Sequence, residues 1–281
     1  MLKPCLDCYH TNFSAFPDML AYHEQLRQDS HWERSEVQNL TVAALDKSSP
    51  LFADATQFDA SVSKDAIEDT AENLALAIQI GGQFFPLRDT SYRSLLDRAK
   101  INGTALPKLS REKLADVLNS CFALHKKSGA LLLIRDEKDY SILEIDQLLN
   151  GLQAQIDQRF PGNIFTSGYT DHALTSASWT LPGQKKDLLS AYEKALDTHG
   201  LKSMADKLMP GIRFTTSDTG TASAKVSALL MGYSYPIHIG SIIAVDHRNQ
   251  KKVPDFIASL DMLFAQFGDS IAKLNELFSI Q

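Results

Sequence analysis

Residues 210–248, PGIRFTTSDTGTASAKVSALLMGYSYPIHIGSIIAVDHR, constrain the fold more than any other stretch of this chain. Apolar and β-branched runs at 212–216, 224–232 and 237–246 are separated by small or polar residues, and Asp218-Thr219-Gly220 has the chemistry of a tight turn. Runs of this length at this spacing predict three consecutive strands. A sheet built from them must bury one face, so the neighbouring sequence has to supply the helices that cover it.

The sequence after it does. Pro254 suits the first position of a helix, and Phe256, Ile257, Leu260, Leu263, Phe264, Phe267, Ile271, Leu274 and Phe278 form a wide apolar stripe at helical spacing. Upstream, strand and helix signals alternate in small blocks. A hairpin is expected at 130–134 and 140–145 around the charged turn 135–139, followed by a helix carrying Leu148, Leu149, Leu152 and Ile156. A second hairpin is expected at 163–169 and 173–181, closed by Pro182-Gly183, with a helix at 185–199 behind it.

Earlier still, a helix is expected over 64–80, with Ile67, Ala71, Leu74 and Ile78 as its stripe and Gly81-Gly82 as its stop. Two helices follow, near 90–100 and from the capping Ser110 onward through Leu114, Val117, Leu118, Cys121 and Phe122. Residues 1–60 read as an irregular arm with one short amphipathic helix through Phe13, Phe16, Met19, Leu20, Tyr22 and Leu26. The expected class is α+β: antiparallel hairpins forming a curved sheet covered by helices, with a long C-terminal helix. The arm 1–60 precedes a single domain at 61–281, helical over 61–128 and sheet-forming over 129–281.

The 281 residues are enough to bury a sizeable core, and 44% hydrophobic with 22% charged residues is the composition of a globular protein. There is neither an apolar run long enough to span a bilayer nor a basic-then-apolar leader, and a cytoplasmic location is expected. Three cysteines, Cys5, Cys8 and Cys121, argue for a reducing compartment. Cys5, Cys8 and His10 are half a zinc site at most, since a structural site takes four ligands.

A net charge of −6 argues against bulk attraction to nucleic acid, but the charge is unevenly spread. Residues 1–85 hold 5 Lys/Arg and 13 Asp/Glu, whereas 86–127 hold 9 Lys/Arg and 4 Asp/Glu. An acidic stretch precedes a basic one, which reads either as a solvated helical face or as a phosphate-binding surface.

Phosphate-loop, dinucleotide-fingerprint, zincin, nucleophile-elbow and EF-hand motifs are all missing. Asp136-Glu137-Lys138 has a spacing used by metal-dependent nucleases, with Asp97 or Asp116 as an upstream acid, but it falls in an expected turn. His172, His238 and His247 sit in no ligand-spaced pair. No residue is assigned to catalysis, and neither a cofactor nor a metal is called for.

Three blocks, PLRDTSYRSLLDRAKING, LLLIRDEKDYSILEIDQLL and GIRFTTSDTGTASAKVSALLMGYSYPIHIGSI, resemble the phage/plasmid-like protein family of unknown function over roughly 84–250. The chain departs from it at Tyr233-Ser234-Tyr235-Pro236, where members often read Cys-Asn-Gly. The resemblance implies a mobile-element setting: DNA handling, recombination or host interference.

The leading expectation is a non-enzymatic nucleic-acid-binding protein acting on single-stranded DNA, with annealing as the activity that needs no nucleotide hydrolysis. Its candidate contacts are Arg88, Arg93, Lys126, Lys127, Arg135, Lys138, Tyr140, Arg213, Lys225, Arg248, Lys251 and Lys252. The alternatives are a host-interference or interaction protein that binds a host or element-encoded protein without DNA, and third a metal-dependent nuclease. A homo-oligomer through the sheet edge or the C-terminal helix is compatible with each.

Overall fold

A computed structural model describes residues 6–30, 35–36, 39–99, 101, 109–124, 129–130, 141–201, 207–218, 222–232, 236–247 and 251–273. The elements run β1 (His10–Phe13), α1 (Phe16–Gln28), β2 (Ser35–Glu36), β3 (Thr41–Ala44), α2 (Pro50–Ala53), α3 (Lys64–Glu72), β4 (Leu76–Ile80) and β5 (Gln83–Pro86). They continue with α4 (Tyr92–Ala99), α5 (Arg111–Leu124), β6 (Gly129–Ala130), α6 (Ile145–Arg159), β7 (Ile164–Asp171), β8 (Thr175–Thr180) and α7 (Lys185–Thr198). β9 (Met209–Thr216), β10 (Ala224–Met231), β11 (Ile237–Val245) and α8 (Val253–Ala272) complete the chain. The fold is α+β, its sheets are antiparallel, and it ends in a C-terminal helix. Among the described residues, no helix is long and apolar enough to cross a membrane.

The chain divides into two compact units. The first is Met1–Thr11 with Trp32–Tyr140, and the second is Asn12–His31 with Ser141–Gln281. Residues 1–60 therefore serve both units instead of forming a separate arm: α1 brings the fully buried Met19 to the second, and β3 with its flank brings Val42 and Leu45 to the first.

In the first unit β3, β4 and β5 form an antiparallel sheet in that order. α5 packs its Leu114, Leu118 and Phe122 against Val42, Leu76 and Ile78, as the spacing of its apolar residues requires. The expected helix over 64–80 is half helix and half strand. Ser63 Oγ accepts from the Ala66 N–H to start α3, but Asn73 ends it and Ala75 takes a positive φ of 55°. The apolar run Leu76–Ile80 then pairs with β5 across Gly81 and Gly82, whose φ values of 59° and 90° are those of a two-residue hairpin loop open to glycine. The pair expected to stop a helix instead reverses a strand.

The second unit is built on a six-stranded sheet in the order β1-β7-β8-β9-β10-β11. The hairpin β7–β8 and the three strands β9 to β11 fall where the sequence predicts them. One face carries Ala177, Trp179, Ile212, Phe214, Ala224, Val226, Ala228 and Leu230. Against it pack Met19 of α1, Leu148, Leu149, Leu152 and Ile156 of α6, Leu189 and Leu196 of α7, and Phe256, Leu260, Phe264 and Phe267 of α8. Trp179 is fully buried, and its ring N–H donates to Gln153 Oε1 at 2.7 Å. The expected hairpin at 130–145 lies largely outside the described residues, and 141–144 have no regular structure.

Candidate nucleic-acid interface

Strand alternation divides the larger sheet into a helix-covered face and its opposite. Arg213 and Thr215 of β9 and Lys225 and Ser227 of β10 alternate with the core residues Ile212, Phe214, Ala224 and Val226, so they lie on the opposite face. The register sets Tyr169, Ser176, Thr215, Lys225 and Ala244 side by side across five strands, and Ser178, Arg213 and Ser227 side by side in the next row. Arg213 Nε donates to Ser178 Oγ at 3.2 Å, which fixes the start of its guanidinium. Lys225 is exposed.

Lys225 follows Ala224, which pairs with Val245 at the end of β11. Lys251 and Lys252, both exposed, follow that same end of β11 and lead into α8, where Asp255 Oδ2 accepts from the Lys252 N–H. Lys225 thus neighbours the end of β11 that Lys251 and Lys252 follow in sequence. Among the described residues, no carboxylate forms an ion pair with Arg213, Lys225, Lys251 or Lys252.

The remaining sequence candidates are distributed otherwise. Arg88 belongs to the first unit, is only 20% exposed, and sits 3.1 Å from Asp69 Oδ2 and 3.7 Å from Asp7 Oδ1, so its charge is already compensated. Arg93 is exposed on α4 of that unit. Lys126, Lys127, Arg135, Lys138, Tyr140 and Arg248 lie outside the described residues, as does Asp136 of the nuclease-like spacing. Among the described residues no group of three or more His, Cys, Asp or Glu side chains could hold a metal ion.

Sequence reasoning missed Tyr169. Its hydroxyl donates to Asp171 Oδ2 at 2.7 Å, and that hydrogen bond, with burial and the carboxylate charge adding to it, pushes the phenol up to about 12. Asp171 also accepts from the Ala173 and Leu174 amides; burial alone would raise its pKa, but these donors together hold it below the usual carboxylate range. The two-residue spacing of Tyr169 and Asp171 along one strand was the available signal.

A buried polar belt lies on the helix-covered face at the same end of the sheet. Thr170, Thr175 and Thr216 are adjacent by register, and Thr170 Oγ1 lies 3.0 Å from Thr175 Oγ1. His23 of α1 meets Thr170 at 2.9 Å, while His247 meets Thr216 at 3.5 Å and the Ser141 carbonyl at 3.1 Å. Burial lowers the pKa of both imidazoles, His23 to about 4, although Asp146 favours its charged form. Asp146, buried in the first turn of α6, accepts from Arg27 Nε at 2.8 Å through Oδ2, and its Oδ1 has no partner among the described residues. Of this belt only His247 stood out in the sequence.

The chain matches no family model, and no curated protein or solved structure matches it.

Proposed function

We propose that the protein binds single-stranded nucleic acid on the second unit, along the row from Tyr169 to Lys225 and the end of the sheet marked by Lys251 and Lys252. The observation that supports this reading is the set of four cations, Arg213, Lys225, Lys251 and Lys252, with no ion-paired carboxylate among the described residues, beside the hydroxyl side chains of Ser176 and Thr215 on the sheet face opposite the core. Lysines there neutralise phosphates, Arg213 adds a fixed planar donor, and Tyr169 offers a ring against which a base can stack. The resemblance over 84–250 to a phage/plasmid-like family suits a role in handling a mobile element's DNA. Binding without hydrolysis is the activity proposed.

The test is a salt series with a labelled single-stranded oligonucleotide and a matched duplex. Each phosphate contact on a single strand contributes a slope of roughly −0.7 in log K against log salt. Replacing Lys225, Lys251 and Lys252 together by Gln should reduce the slope by about 2. Binding with an unchanged slope moves the interface elsewhere. No binding at low salt rejects the proposal and turns the search to protein partners.

A further inference from the structure

The chain visits the second unit for Asn12–His31, returns to the first, and rejoins the second at Ser141. α1 is the main element of that visit, and one face of it makes the attachment. Phe16 packs on Phe165 and Trp179, Met19 is fully buried, His23 meets Thr170, and Arg27 pairs with Asp146. Positions 16, 19, 23 and 27 follow one another at three or four residues, so a single helical stripe passes from apolar to polar along its length. A core helix normally continues such a stripe with aliphatic residues. Here its centre is an imidazole, 3% exposed, placed against a threonine pair.

We propose that α1 is a proton-operated latch, whose His23 holds the helix on β7 and α6 when neutral and frees it when charged, while strands β8 to β10 keep their fold. The groups around His23 fix the direction of the response. From β7 comes the Thr170 hydroxyl, relayed to Thr175 of β8; from α6 comes Asp146; from α1 come the neighbouring Tyr22 ring and Arg27. Among the described residues Asp146 is the anion acting on His23, and Arg27 already occupies its Oδ2. The pull of that half-compensated carboxylate is smaller than the loss of hydration on charging a buried ring, and the pKa of His23 falls to about 4. An undocked helix returns the imidazole to water and its ordinary pKa of about 6.5. Between those two values the undocked state binds more protons, so docking weakens as pH falls from about 6.5 toward 4 and is at full strength above.

Amide hydrogen exchange of the full-length protein at pH 7 and pH 5, corrected for the intrinsic rate, tests this. The opening equilibrium of α1 should rise by about twentyfold at pH 5, with protection of β8 to β10 kept. His23→Gln should make α1 insensitive to this change in pH. Unchanged α1 protection in the wild-type protein, or its loss together with the central strands, overturns the latch. A His23→Gln protein that keeps the acid response also overturns it. Should that variant not fold, the comparison of α1 with the strands in the wild-type protein still decides the matter.

Discussion

Gly168 is the position at which the docking of residues 12–31 can be measured as an energy. A Cβ added there would lie 2.5 Å from Met19 Sδ, 3.1 Å from Phe165 Cζ and 3.2 Å from Phe13 Cβ. The backbone of Gly168 has no positive φ, so alanine meets no conformational strain and gains about 0.5–1 kcal/mol of strand preference. Against that gain stands overpacking, typically about 1–3 kcal/mol, reduced here because the nearest atom belongs to a flexible thioether. Gly168→Ala should therefore destabilise by about 1 kcal/mol. Met19→Ala removes a fully buried side chain and should cost about 2–5 kcal/mol. In the double variant the new methyl enters space that Met19 has left, so the two changes should cost about 1–2 kcal/mol less than their sum. Urea unfolding followed by the fluorescence of the buried Trp179, in a Trp32→Phe background, supplies the four free energies. Additivity within about 0.5 kcal/mol would mean that Met19 does not sit over Gly168 and that the docking of α1 described above is wrong.

Other consequences follow from single contacts. Gln153→Leu strands the buried Trp179 N–H and should cost about 1–3 kcal/mol in the same urea experiment. Ser63→Ala removes the cap of α3 and should destabilise the first unit by about 1 kcal/mol, read as lost amide protection over Lys64–Glu72. Tyr169 ionises only near pH 12 because its O–H donates to a carboxylate, which favours the protonated phenol; Asp171→Asn should bring that titration down toward 10, seen as ultraviolet absorbance of tyrosinate at lower pH.

The larger sheet and its covering helix were legible because their signals are local. Runs at 212–216, 224–232 and 237–246 lie close to β9, β10 and β11, and Phe256, Leu260, Phe264 and Phe267 of the expected stripe are buried on α8. Periodicity misled at Leu74 and Ile78, whose spacing fits a helix while the surrounding run of apolar residues fits a buried strand equally well. Gly81-Gly82 decides between them only once β5 is present to pair with β4.

Of the candidate interface, the sequence supplied the lysines and arginines but could not sort them. Arg88 and Arg213 read alike as basic residues, yet Asp69 and Asp7 neutralise the first, while the second lies on a sheet face bonded to Ser178. The carboxylates near Arg88 are 19 and 81 positions away along the chain, beyond any helical or strand period. His23 was invisible for the same reason: its partner Thr170 is 147 residues distant. The strands β7 to β11 and the apolar stripes of the helices that cover them could be read along the chain, because those signals depend on neighbours within a few residues. Which charges are compensated, as at Arg88, and which histidines are buried, as at His23 and His247, emerged in the fold, because charge compensation and desolvation depend on groups that the chain brings together from afar.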